Sequence, residues 1–284
     1  MTFDRERLLA LPPRVTHHRF TRRDTMLYAL GVGAGQQPGD LPFVYEENLA
    51  ALPTMAVVLA YPGFWQKEPD YGIDWKRVLH AEQSVVFHAP LPVEGEVRGE
   101  LTIDHIVDKG PAKGALLYST RKIFDIADER LLASVTQVSF LRGDGGCGGP
   151  STPPRAPHIV PGAAPDAVLV LETRPEQALV YRLSGDYNPL HADPAVAAEA
   201  GLPRPILHGL CTYGIAGRAL LAALCDNRPA RMRRLDCRFT APVFPGDTLE
   251  LAYWRGAGGT ASYRVRVPER DALVLDNGLV EFTT

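Results

Sequence analysis

Phe239-Thr-Ala-Pro-Val-Phe-Pro-Gly-Asp-Thr-Leu249 echoes an earlier stretch, Phe87-His-Ala-Pro-Leu-Pro-Val-Glu-Gly-Glu-Val97. Both read Phe-x-Ala-Pro, then a glycine with an acidic neighbour, then an apolar run. A period of roughly 150 residues is far too long for a solenoid unit and points to two copies of one domain. A strand-turn-strand pattern met twice by chance is the other explanation. Between the copies, residues 142–165 are dominated by glycine and proline, from Arg142-Gly-Asp-Gly-Gly-Cys-Gly-Gly149 to Pro161-Gly-Ala-Ala-Pro165. Neither helix nor strand is expected to run through such a segment. The expected division is an N-terminal half at 1–141, a linker at 142–165 and a C-terminal half at 166–284.

Strand signals follow each copy of the repeat. Leu101, Ile103 and Val107 share one parity, and Tyr263, Val265 and Val267 alternate with Arg264 and Arg266. This is the period of half-buried antiparallel strands. Ala127-Asp-Glu-Arg130 reads as a turn, with Leu131 to Leu141 as the returning strand. Helical signals come before the strands. Asp193-Pro194 combines a capping carboxylate with a proline at the first helical position, and Gly201 suits the end of a short helix. A second helix is expected from His208 to Leu224, where Ile215, Ala219 and Ala222-Ala223 give an apolar, small-residue face. Thr25–Leu30 and Pro53–Leu59 are the matching candidates in the first half. Helices followed by antiparallel strands predict an α+β class, with each sheet curled around one helix.

The chain has 284 residues, a formal net charge of −3 and a pI near 6.2. That balance carries no basic surplus for nucleic acid or an anionic membrane. Arg231, Arg233 and Arg234 form a local basic cluster that reads as a solvated surface or a phosphate contact. Cys147, Cys211, Cys225 and Cys237 match neither a CxxC pair nor a zinc site, so a reducing compartment is expected. The sequence shows no secretory signal, no apolar run of transmembrane length and no Ser-Lys-Leu terminus, which makes the cytoplasm the expected location. No histidine spacing suggests a metal. Gly31-Val-Gly33-Ala-Gly35 departs from a dinucleotide loop at its third glycine, and a Gly-x-Ser-x-Gly elbow is absent.

The densest polar cluster is Gly185-Asp186-Tyr187-Asn188-Pro189-Leu190-His191. Asn188-Pro189 reverses the chain, so Asp186 and His191 can face one pocket as an acid/base pair. The same residue types also serve simply as turn formers. Pro205-Ile-Leu-His208-Gly209-Leu-Cys-Thr212 opens the second helix. Its first amides lack internal acceptors and lie at the positive end of the dipole. Gly209, without a side chain, leaves its amide open to a carbonyl oxygen that gains charge. His208 could instead pack or cap.

These segments resemble the enoyl-CoA hydratase 2 family, the MaoC-like hydratases, and especially the hydratase part of peroxisomal multifunctional enzyme type 2. The likeness is strongest over Tyr181-Arg-Leu-Ser-Gly-Asp-Tyr-Asn-Pro-Leu-His-Ala-Asp193 and Pro205-Ile-Leu-His-Gly-Leu-Cys-Thr-Tyr-Gly214. It extends to Tyr28-Ala-Leu-Gly-Val-Gly-Ala34, Phe43-Val-Tyr-Glu46, Leu79-His-Ala-Glu-Gln83, Asp108-Lys109-Gly110 and the glycine-rich start of the linker. Ala81 stands where the family has glycine, Cys147 where an aromatic is usual, and Thr136 where an Asn is usual. The resemblance implies a double hot-dog fold, two antiparallel sheets each wrapped around a central helix. It also implies that the second half keeps the dyad while the first helps to accommodate the acyl chain.

By that resemblance, Asp186 and His191 are the dyad, Asn188 orients water and Gly209 donates to the thioester oxygen. His80, Ala81, Lys109 and Phe239 match CoA-ester contacts. Tyr28, Glu46, Asp166 and His208 match supporting positions. The implied reaction is reversible syn hydration of a trans-2-enoyl-CoA to the (3R)-3-hydroxyacyl-CoA, with Asp186 activating the water and His191 supplying the α-proton. Coenzyme A enters as part of the substrate, with no metal or redox cofactor, and a homodimer is the expected assembly. A carrier-protein-bound, branched or dicarboxylic thioester, a thioesterase activity, and non-catalytic acyl-CoA binding are the rival readings.

Overall fold

The computed structural model describes residues 3–283. Its strands are β1 (Arg14–Phe20), β2 (Val78–Phe87), β3 (Gly95–Asp108), β4 (Ala115–Asp125), β5 (Leu131–Leu141), β6 (Ala167–Glu172), β7 (Met232–Phe239), β8 (Thr248–Arg255), β9 (Thr260–Val267) and β10 (Ala272–Phe282). They form one antiparallel sheet in the order β1-β3-β4-β5-β2-β7-β10-β9-β8-β6. The second five strands repeat the order of the first five, mirrored about the β2–β7 join. There Ser84 pairs with Asp236, and its hydroxyl donates to that carboxylate across 152 residues of sequence. The same spacing separates Phe87 from Phe239, which end the two joined strands. The expected sheets therefore meet edge to edge at matching residues and are continuous, and neither leaves an open edge at the centre.

The helices are α1 (Arg5–Leu9), α2 (Arg22–Gly31), α3 (Leu41–Val44), α4 (Gln177–Tyr181), α5 (Pro194–Glu199) and α6 (Gly209–Cys225). The last is the expected central helix, one residue later than its sequence signal, with His208 as N-cap. Its small residues admit close neighbours: a Cβ on Gly214 would strike Val32, and one on Gly217 would strike Thr54. α6 therefore packs against the first half as well as its own sheet. One core cluster runs through both halves, from Phe20 to Val280. Residues 142–165 contain bends and turns without helix or strand. The carboxylate of Asp108 gathers the amides of Gly110, Gly146 and Gly148, each at 2.8 Å, which fixes the start of that segment.

Two expectations change. The helix expected at Pro53–Leu59 is a single 3-10 turn, Pro53–Val57, all of it buried. Ala60 takes a left-handed backbone (φ 47°), which no helix can continue through. So short an apolar run gains little from helix formation without tertiary partners. In β3 the parity of Leu101 and Ile103 breaks at a register shift between Ile103 and His105. Beyond this bulge both Ile106 and Val107 are buried.

The halves are also tied by a buried ion pair. Arg218 of α6 donates from Nη1 to both carboxylate oxygens of Asp40, at 3.1 and 3.2 Å. Asp40 also accepts the amides of Gly35, Gln36 and Gln37. Gln177 and Cys211 cover the Gly31 carbonyl at the end of α2.

Candidate active site

Gly185 (φ 116°) ends a 3-10 turn at Arg182–Ser184 and turns the chain outward. Asp186 then accepts the Asn188 amide at 3.2 Å, and Asn188 accepts the Leu190 amide at 3.1 Å. These side-chain turns lead into the 3-10 turn Pro189–His191 and return His191 towards Asp186. The segment is thus both a turn and a convergence of reactive groups. The exposed Asn188 spends its oxygen on the cap.

His191 is buried, and its Nδ1 lies 2.9 Å from the Ile206 carbonyl. A carbonyl only accepts, so Nδ1 carries the proton and Nε2 keeps its lone pair. Burial holds the His191 pKa below its ordinary value; the Ile206 bond and the Asp186 charge oppose this without reversing it. His208 stacks on His191 with ring centroids 3.7 Å apart, and Tyr181 flanks its ring at 5.0 Å. Its Nε2 donates to the Asp186 carbonyl at 3.1 Å, and its buried Nδ1 has no partner among the described residues. Burial first, and His191 second, depress the His208 pKa, which disfavours two adjacent imidazolium rings. Tyr28, fully buried, packs 6.1 Å from Tyr181. The order Tyr28, Tyr181, His208, His191 therefore runs from the first half to the dyad, and His208 fixes the backbone of Asp186.

Asp186, His191 and His208 each offer a ligand atom within 4.8 Å of the others. Linear spacing does not show this grouping, because the fold supplies it. The same trio suits a bound cation or proton transfer.

Gly209 opens α6 with its amide free of any acceptor among the described residues. A Cβ there would lie 3.2 Å from the Phe239 ring. That ring meets His80 edge-on at 4.8 Å. Ala81 sits at the β-bulge between His80 and Glu82. Burial pushes the His80 pKa down to about 4. His80, Ala81, Phe239 and Gly209 are thus brought together from both halves, at the β2–β7 join. Lys109 is exposed after β3, three strands from β2, with Nζ 3.5 Å from the Ser151 carbonyl. Glu46 is exposed, and its carbonyl accepts from Arg22. Asp166 precedes the edge strand β6 and accepts the Arg255 amide at 2.5 Å. Lys109, Glu46 and Asp166 stand apart from the cluster; the latter two hold local structure elsewhere. Thr136, at the altered position, bonds hydroxyl to hydroxyl with Thr120 at 2.9 Å.

Three contributors escaped the sequence reading. The Ile206 carbonyl selects the His191 tautomer, and backbone groups carry no motif. Tyr181 lies in the quoted segment but shows its role only by packing. Tyr61 has its pKa pushed up to about 12, by burial first and by Asp186 second, and no sequence signal joined it to the dyad.

A sheet duplicated about a central join, with one long central helix and one acid/base cluster among the described residues, defines a double hot-dog protein. The comparisons place it further. Residues 18–143 match the MFE-2 hydratase 2 N-terminal domain and residues 158–271 match the MaoC like domain. A relative in Mycobacterium tuberculosis, 3-hydroxyacyl-thioester dehydratase Y, is 43% identical, with 93% of each chain covered. Enoyl-CoA hydratase 2 of Arabidopsis thaliana, a peroxisomal protein, is 36% identical over 96% of this chain and 94% of that one. The crystal structure of a MaoC-like dehydratase from Phytophthora capsici superposes with a TM-score of 0.89, at 34% identity and 98% coverage of both chains. A Mycobacterium tuberculosis protein described as having a double hotdog fold shares the fold at 17% identity and a TM-score of 0.56. The chain belongs to the enoyl-CoA hydratase 2 family of MaoC-like proteins.

Proposed function

We propose that the protein is an R-specific enoyl-CoA hydratase, a hydro-lyase adding water reversibly across the double bond of a trans-2-enoyl-CoA. The observation that carries this reading is the convergence of the Asp186 carboxylate and neutral His191 beside the free Gly209 amide. Gly209 would donate to the thioester oxygen as the enolate forms. The Ile206 hydrogen bond refines the proton assignment. Nε2 of neutral His191 takes a proton from water as the hydroxide bonds to C3, and the resulting imidazolium delivers that proton to C2. Asp186 accepts a hydrogen bond from the O–H that stays with the product and stabilises the imidazolium. This reading gives the first transfer to His191, where the sequence reading gave it to Asp186. A single water used by adjacent groups gives syn addition. His80 and Phe239 would flank the thioester, with the exposed Lys109 as a phosphate partner. The reading needs no metal or redox cofactor. It includes a homodimer in the cytoplasm, in keeping with four unbridged cysteines in a reducing compartment.

The test is incubation of the protein with crotonyl-CoA, before and after exhaustive treatment with a chelator. Loss of the conjugated enoyl absorbance, unchanged by the chelator, and a 3R product are expected. Release of free thiol in place of hydration would make the protein a thioesterase. Binding without turnover would leave only a binding module.

The pH profile separates the two proton assignments. With neutral His191 as base, kcat/KM is level above the ordinary histidine pKa of about 6.5 and falls on acidification through the lower value that burial imposes. If Asp186 were the base and His191 entered as the acid, the rate would rise as pH falls through this range. A rising acid limb would return the first transfer to Asp186.

A further inference from the structure

Two arginines are nearly fully buried, Arg218 at 9% exposure and Arg121 at 5%. Arg218 has the Asp40 carboxylate. Arg121, on β4, has no carboxylate among the described residues. Its Nη2 donates to the Ala56 and Val57 carbonyls at 3.2 and 2.8 Å, which closes the end of the Pro53–Val57 turn. Its guanidinium also lies over the Tyr61 ring, 5.5 Å from the centroid. Among the described residues, Nη1 makes no hydrogen bond and the buried Nε has no partner. Burial lowers its pKa to about 10, so the group is charged at neutral pH. A buried cation with free donors and no anion is costly to the fold.

The surroundings are built to keep it there. Gly99 makes room, because a Cβ at that position would lie 3.1 Å from Arg121 Cδ and 2.8 Å from the Ala60 Cβ. The left-handed Ala60 has its amide held by His18 Nδ1 at 3.0 Å. Arg121 lines a narrow cleft with Tyr61, Ser119, Gln83 and Gln137 as its polar wall and Leu210 on its apolar side. Leu210 follows Gly209, whose amide faces the reacting thioester in the proposed mechanism. Tyr61 is close enough to feel the charges of both Asp186 and Arg121. The cleft thus lies next to Gly209 along the chain, through Leu210, and its polar wall offers a cation with the Tyr61 and Ser119 hydroxyls.

We infer that Arg121 pairs with a carboxylate at the end of a short acyl chain extending from the dyad, making dicarboxylic enoyl thioesters the preferred class. The inference rests on the hydratase reading above and names its substrate. Tyr61 and Ser119 supply further donors to the carboxylate.

The experiment compares matched pairs: 2-pentenoyl-CoA with glutaconyl-CoA, and 2-hexenoyl-CoA with 2-hexenedioyl-CoA. At least one dicarboxylic ester is expected to exceed its partner in kcat/KM by about tenfold or more, as hydrogen bonds to a charged group allow. In Arg121→Gln the ratio for that pair should fall to about one or below, while Arg121→Lys should keep part of the preference. The wild-type ratios stand without either variant, should these fold poorly. If the simple enoyl esters are hydrated and neither dicarboxylic ester is preferred, the carboxylate inference falls and the hydratase reading stands. If the preference exists and survives in Arg121→Gln, Arg121 is not its source. If no ester in the set reacts, the hydratase reading falls with it.

Discussion

Asp186→Asn is expected to lower kcat for crotonyl-CoA hydration by about a hundredfold or more, the range for removing a group that acts on a transferring proton. The substitution is nearly isosteric. An Asn oxygen can still accept the Asn188 amide, and the backbone carbonyl still receives His208 Nε2. The turn should persist, so the loss would report the carboxylate's charge. Without it the water loses one acceptor and the His191 imidazolium its nearest anion. Steady-state kinetics with a thermal melt give the check: a loss in kcat with an unchanged melt is the expected pair of results. Equal rates in wild type and variant would sink the dyad assignment.

The second large effect concerns stability. Asp40→Ala leaves Arg218 charged, buried and unpaired, and also strips the acceptor from three loop amides. Removing one partner of a buried pair costs about 3–5 kcal/mol. For a chain of this size that corresponds to a fall in Tm of about 10 °C. Arg218→Met on the Asp40→Ala background removes the stranded charge and should recover part of the loss. A double-mutant cycle on Tm measures this, and additive effects would show that the pair is not coupled.

The repeat was legible because Phe-x-Ala-Pro marks the same strand end twice, and those ends flank the join. The Asp186–His191 turn was legible because its turn formers and its reactive groups are the same residues. The first-half helix was misread because Pro53–Leu59 is apolar enough for a helix, while Ala60 and the packing on Gly217 decide against one. The bulge after Ile103 left no mark in composition. Arg121 was invisible for a plainer reason. In Ser119-Thr-Arg-Lys-Ile123 an arginine next to a lysine reads as solvated, and strand alternation alone does not say which of the two faces inward. Gly99, which makes room for Arg121, lies 22 positions away.

The join at Ser84 and Asp236 carries an evolutionary consequence. Two identical chains paired in this way would form a symmetric assembly in which every substitution occurs twice. Linking the copies covalently frees each to diverge. One can keep a long central helix and a reactive turn while the other reduces its counterpart to the Pro53–Val57 turn and buries Arg121. Ancestral reconstruction of the two halves would then find Arg121 arising after duplication, on one side alone.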